Sequence, residues 1–295
     1  MNRSRLDRVM LNFSGGYDSL ATAVILAPCV EQLDLVTFRL LNEKAIFLAK
    51  RNVDKLKSEF PDTRIIHSVV DARDAQRELL AGFSQAVEGF SAAWAPMGLW
   101  CCTCHLAMRT ASILYCVRKN IRYCADGAAR KEYHHSSHKI SVINQMKDLF
   151  SEYGIEYLNP VYDFPGWVKD FLRGRGYKVG IEVFSMKTTQ TFCWVSFFSN
   201  IRQQSSPSAT PENVVAVYVR GMIPRVRALI DRKLREKGFP AEGLRGMSPV
   251  QIDYVGGEAP WTGVSGTQKA LSRILNVLFW PVYKVFNAVV TKRFR

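Results

Sequence analysis

The sequence predicts an α/β protein built on a doubly wound parallel sheet, carrying a basic and mainly helical C-terminal extension. Three observations predict it. A short apolar run, Val9-Met10-Leu11-Asn12-Phe13, meets a glycine turn and continues into a helix-like stretch, Leu20–Leu26. Strand-like runs and stretches of helical period then alternate as far as residue 153, the pattern of parallel strands joined by helices. Finally, 295 residues with 47% hydrophobic content suffice for one large domain, or for a core domain with an appendage.

In chain order, Leu33–Phe38 reads as the second strand. Residues 43–59 follow as a helix with apolar Ala45, Ile46, Leu48, Ala49, Val53 and Leu56, ended by Pro61-Asp62. Arg64–Val70 is the third strand, and 75–95 a helix closed by Pro96-Met97-Gly98. Cys101-Cys102-Thr103-Cys104 then opens a helix over 104–118, and Arg122–Ala125 is a fourth strand leading into Asp126-Gly127. Residues 141–153 read as a helix, Pro160–Trp167 as a turn-rich junction and Gly174–Gly180 as a basic connecting loop. The His134-His135-Ser136-Ser137-His138 stretch reads as a solvated or RNA-contacting loop.

The character changes past residue 200, so the division is 1–200 for the α/β domain and 201–295 for the extension. Residues 203–211 have linker composition, and a basic helix over 212–237 contains Pro224, which predicts a break or kink. Residues 239–266 are rich in Gly and Pro, with little periodicity. The tail, 267–295, has six Lys or Arg and no acid, with an apolar stripe from Leu271 to Val289 that Pro281 interrupts. That stripe fits docking onto the core, or an amphipathic helix lying on a membrane surface; Lys284 and Asn287 make it a poor transmembrane segment.

The chemistry centres on Ser14-Gly15-Gly16-Tyr17-Asp18-Ser19. A tight turn between strand and helix exposes N–H groups beside the positive end of the helix dipole, which suits phosphate. Two glycines let the backbone approach an anion, and the serines add hydroxyls. Asp18 would repel a phosphate unless a cation stands between them, so its natural task is to help hold Mg²⁺. The hexapeptide resembles the PP-loop of the N-type ATP pyrophosphatases, S-G-G-x-D-S, and no Gly-Lys-Ser/Thr follows as it would in a Walker A loop. The resemblance spans about residues 8–195 and implies an adenine nucleotide alpha hydrolase-like fold. It also implies that ATP binds at Ser14, Gly15, Gly16, Tyr17, Asp18 and Ser19, with Asp126 and Gly127 as a second nucleotide-contacting turn. The tRNA-thiolating form of that turn, Gly-His-x-x-Asp-Asp, is not present here. Members of the family adenylate a substrate oxygen, release pyrophosphate, and let a nucleophile displace AMP.

Cys101 and Cys104 form a C-x-x-C pair at the expected start of a helix, where the dipole and nearby Arg109 favour thiolates. Such a pair can bind a metal or one face of an iron–sulfur cluster, or cycle as dithiol and disulfide. Its place between the third and fourth strands resembles the tRNA 2-thiocytidine synthetase type. That resemblance implies a [4Fe-4S] cluster on Cys101, Cys104 and, far downstream, Cys193; zinc is the alternative. Cys102 could substitute as a ligand, whereas Cys29, Cys116 and Cys124 sit in apolar contexts and read as core.

A net charge of +14 and a pI near 9.6 point to an anionic partner, nucleic acid or a membrane surface. Seven cysteines, an odd number, do not read as a secreted disulfide framework. Met1–Arg8 runs directly into the first strand, so the expected location is cytoplasmic, with peripheral membrane contact open. The expectation is therefore an ATP-dependent sulfur transferase acting on a base carbonyl, most simply in tRNA. Asp18, Cys101 and Cys104 would be its catalytic residues, and a sulfur-donor protein a possible partner. The alternatives are a PP-loop ligase or amidotransferase with an amine nucleophile, and a nucleotide-binding module without catalysis.

Overall fold

A computed structural model describes residues 5–41, 49–81, 83, 87, 95–130, 135–177 and 210–239. Its centre is a five-stranded parallel sheet of β1 (Leu6–Asn12), β2 (Val30–Arg39), β3 (Arg64–Asp71), β4 (Tyr123–Ala125) and β5 (Glu156–Leu158), in the order β3-β2-β1-β4-β5. Register is set around β1, where Val9 lies opposite both Leu33 and Tyr123. Successive residues of a strand face opposite sides. Val9 and Leu11 accordingly enter one apolar cluster, while Met10 enters the other. Parallel sheets need cover on both faces, and this one has it.

One face carries α1 (Tyr17–Leu26), α2 (Val53–Glu59) and, after β5, α6 (Val168–Gly174). The other carries α3 (Arg73–Leu80), α4 (Ala95–Lys119), α5 (Ile140–Ser151) and α7 (Glu212–Arg235). The α/β class and the first four strands are as the sequence predicts. β5 was not predicted; three residues cannot show a period.

The α4 boundary differs from expectation. The helix starts at Ala95, so Pro96 and Gly98 open it rather than close its predecessor. Proline is tolerated in a first helical turn, where its missing N–H has no partner to lose. Gly98 permits a close approach, because a Cβ there would lie 2.6 Å from Thr210 Oγ1 and 2.9 Å from Ser136 Oγ. Pro224 does not break α7. It lies on the exposed side, while Met222, Val226, Leu229 and Ile230 on the other side are buried in the sheet's own cluster.

That packing places α7, although it lies past residue 200, in one core with β1 and α4. Part of its basic character is spent on tethers. Arg227 is bidentate to Glu152 at 2.7 and 2.6 Å, Arg232 pairs with Glu78, and Arg225 donates to Glu78 O at 2.8 Å. The tail 267–295, the stretch 240–266, most of the linker and Cys193 lie outside the described residues. Among the described residues no helix is long and apolar enough to cross a membrane.

Candidate active site

The Ser14–Ser19 loop joins β1 to α1, as its strand–glycine–helix sequence requires. Gly15 has φ +74°, a left-handed conformation that a side chain would strain. Gly16 is the extended N-cap of α1, and no side chain caps the helix. Ser19 Oγ donates to Gly16 O at 3.1 Å, which uses its only hydrogen. The 3.2 Å contact between the two serines is therefore a donation from Ser14, whose oxygen also accepts Gly16 N–H at 3.3 Å. Both hydroxyls brace the turn. Asp18 is half-buried in the first turn of α1, and its carbonyl accepts from Thr22 Oγ1 at 2.7 Å.

The loop's entry is clamped to β2 through both of Phe13's backbone groups. Phe13 N–H donates to Val36 O at 2.8 Å, and Phe13 O accepts from buried Thr37 Oγ1 at 2.6 Å. Thr37 has one hydrogen to give, so His67 Nε2, 2.9 Å away, must carry its own and donate. Burial, then Lys50 and Lys57, lowers the His67 pKa and keeps that ring neutral.

Gly127 backs directly onto the loop. A Cβ there would lie 2.6 Å from Ser19 N and 2.8 Å from the Asp18 carbonyl carbon. Asp126 beside it was expected to touch nucleotide, but its carboxylate is occupied from within the protein. Oδ1 accepts Ala128 N–H at 2.9 Å and Asn159 Nδ2 at 2.6 Å; Oδ2 accepts Tyr157 Oη and, at 3.3 Å, Arg109 Nη2. Arg109 also reaches Tyr157 Oη at 3.1 Å and Ser137 O at 3.2 Å. Burial opposes its charge, but Tyr157 and Asp126 more than offset that and raise its pKa. Asp126 thus holds the shape of the turn, and Arg109 is bonded to Asp126 and its neighbours.

The thiol pair is inside a helix, not at its start. Cys101 and Cys104 lie beyond the first turn of α4, where the dipole's effect has faded. Three residues apart, they share a helical face, and both are half-buried. Buried Gln76 orients one of them. Its Oε1 accepts Leu41 N–H at 2.6 Å, which turns Nε2 toward Cys104 Sγ at 3.1 Å. Cys102 points into the core, and burial pushes its thiol up to about 12, so it is no substitute ligand. Cys116 and Cys124 are core as expected. Cys29 is exposed instead, since the short turn Ala27–Cys29 carries it outward, with its thiol 3.6 Å from Ile25 O.

Helix α4 leads into β4 and so runs back along the parallel sheet, with its N-terminal half at the strands' carboxyl ends. Ser112 Oγ, 2.7 Å from Asn12 Oδ1, marks the level where β1 stops. At 1.5 Å per residue, Cys104 stands about 12 Å beyond that level. The pair overhangs the end of the sheet that bears the loop.

The histidine loop is packed rather than solvated. Ser136 and Ser137 are buried, and the His138 ring lies 6.1 Å from His105 of α4 and 5.3 Å from His135. Burial foremost, then Arg109 and His135, lowers the His105 pKa to about 3. Among the described residues no three His, Cys, Asp or Glu side chains are grouped to hold a metal ion. Cys101 and Cys104 are two of the three cysteines that the family resemblance implies, and the third lies outside the described residues.

No family model and no curated protein sequence matches the chain. Among solved structures it is similar to a predicted subunit of tRNA methyltransferase from Methanocaldococcus jannaschii DSM, at 16% identity and TM-score 0.41, covering 80% of this chain and 92% of that one. It is also similar to U34-tRNA thiolase NcsA from Methanococcus maripaludis with its [4Fe-4S] cluster, at 14% identity and TM-score 0.35, covering 78% of this chain and 74% of that one.

Proposed function

We propose that this protein is an ATP-dependent sulfur transferase acting on a carbonyl of a nucleic-acid base, with tRNA as the acceptor class that suits its +14 charge. One observation carries the reading: the Ser14–Ser19 loop and the Cys101/Cys104 pair stand at the same end of one parallel sheet. The loop turns, and Gly127 supports, the first peptides of α1 where a triphosphate would lie. Asp18 holds the magnesium ion that screens the phosphates.

The acceptor's carbonyl oxygen attacks the α-phosphorus and pyrophosphate leaves with the electrons of the broken bond. The carbon now bears AMP as its leaving group. A persulfide on one cysteine of the pair, loaded by a sulfur-donor protein, attacks that carbon and expels AMP. The second thiolate attacks the first cysteine's sulfur and frees the thiolated base. This leaves a Cys101–Cys104 disulfide, which an external dithiol reduces. The thiol pair suffices for these steps.

The test supplies MgATP, a persulfide donor, a dithiol reductant and bulk tRNA, and measures pyrophosphate, AMP and thionucleosides after digestion. All three should form in equal amounts with the wild type. Cys101→Ser and Cys104→Ser should each still release pyrophosphate but yield no thionucleoside. Pyrophosphate and AMP formed without any thionucleoside, and indifferent to both substitutions, would replace this reading with an amine-transferring ligase. Silence with every acceptor would leave a nucleotide-binding module.

A further inference from the structure

Gln76 is a buried amide in an apolar position. Leu79 and Leu80, three and four residues further along α3, share its face of the helix, and all three are buried. A glutamine settles in such a place only when both halves of its amide find partners. Here they do. Its Oε1 accepts Leu41 N–H, so the group aimed at Cys104 Sγ is the NH₂. An amide nitrogen donates and does not accept, so at 3.1 Å the sulfur is the acceptor. Tyr218, which approaches Cys104 from α7, gives its hydroxyl hydrogen to another atom. Thr103 Oγ1 donates to Leu99 O at 2.9 Å and therefore receives from the phenol.

The Gln76 bond discriminates between oxidation states. A thiol sulfur accepts a hydrogen bond and a thiolate accepts it more strongly, whereas a disulfide sulfur is a poor acceptor. Closing a Cys101–Cys104 disulfide would also move Cys104 Sγ toward Cys101, while Leu41 N–H pins the donor in place. Nε2 would be left buried and short of an acceptor. That cost falls on the oxidised state alone.

We propose that Gln76 is a positioning residue that sets the reduction potential of the Cys101–Cys104 pair, holding it toward the dithiol. The assignment rests on the reading of the pair as a sulfur carrier that passes through a disulfide. In the reset step the external dithiol gives the pair two electrons and two protons and itself becomes a disulfide. Gln76 makes that step more favourable, because it stabilises only the product.

The experiment equilibrates the full chain at one pH in glutathione buffers of graded oxidised fraction. The Cys101–Cys104 disulfide is then quantified by alkylation and peptide mass spectrometry. The proteins are the wild type, Gln76→Met and Gln76→Leu, with urea unfolding of the reduced forms as the check on folding. Both substitutions remove the donor and they differ in shape, so an effect of packing would separate them. Contacts that either cysteine makes with other groups are common to all three proteins and cancel from the comparison. Each variant should form the disulfide about tenfold more readily, a midpoint about 30 mV more negative than that of the wild type. Should one variant fail to fold, the other carries the comparison. Midpoints equal to the wild type's would overturn the proposal, since a purely structural residue supports both oxidation states alike. Shifts of opposite sign in the two variants would make Gln76 a packing residue and overturn it too. A wild type that forms no Cys101–Cys104 disulfide at any poise would remove both the proposal and the reset step beneath it. Shifted midpoints beside a wild type silent in the tRNA assay would remove the sulfur-transfer reading and leave the role of Gln76 standing.

Discussion

Two turns leave the carboxyl ends of adjacent strands, and each presents an aspartate within two residues of a glycine. After β1, Asp18 sits half-buried at the opening of α1, on a loop whose hydroxyls are braced on one another. After β4, Asp126 is 8% exposed and its two oxygens take four donors from the protein. The residue type is the same and the work differs. Asp18 opens a helix and ties its first turn through its carbonyl to Thr22; the Asp126 carboxylate is consumed in holding its own turn in shape.

The sharpest way to break that contrast is to change both carboxylate sites and read activity and stability separately. Asp18→Asn should reduce pyrophosphate release by at least about a hundredfold, while the denaturation midpoint stays near that of the wild type. Retained turnover would remove the ATP role of the loop. Arg109→Met strikes the other turn and should cost about 3–5 kcal/mol of stability in urea unfolding, because Asp126 is left buried without its charge partner. A loss under about 1 kcal/mol would show that Tyr157 and Asn159 alone hold the carboxylate. The smallest effect belongs to the seam between the turns. Gly127→Ala inserts a methyl group against Ser19 N and should cost about 1–3 kcal/mol, seen as weaker MgATP binding with a modest fall in midpoint. Unaltered binding would mean the two turns move independently.

Much of this fold could be read from the sequence, for identifiable reasons. The parallel strands β1 to β3 are apolar runs bounded by turns, and the Gly15-Gly16 pair marks a backbone position only glycine takes easily. The loop was legible because its six positions are contiguous. Arg109, Tyr157 and Asn159 were not, since their meeting at Asp126 depends on how α4 and β5 lie beside β4. Gln76 was hidden for the same reason, a polar residue on a short helix whose two partners come from β2's end and α4. Pro96 and Gly98 misled because the residues that stop one helix can also start the next. Pro224 misled because it lies on the outer side of α7, where buried neighbours sustain the helix across the missing hydrogen bond.

The continuity of α4 through Cys101 and Cys104 has a mechanical consequence. Residues three apart on a helix hold their Cβ atoms about 5–6 Å apart, whereas a disulfide draws them to roughly 3.8 Å. Closing the bond must pinch one turn of a helix anchored further along at Ser112 and Arg109. The oxidised protein is then a wound spring, and reduction is its release. On the proposed function, a thiol pair that resets after every turnover gains from a bond that is costly to keep.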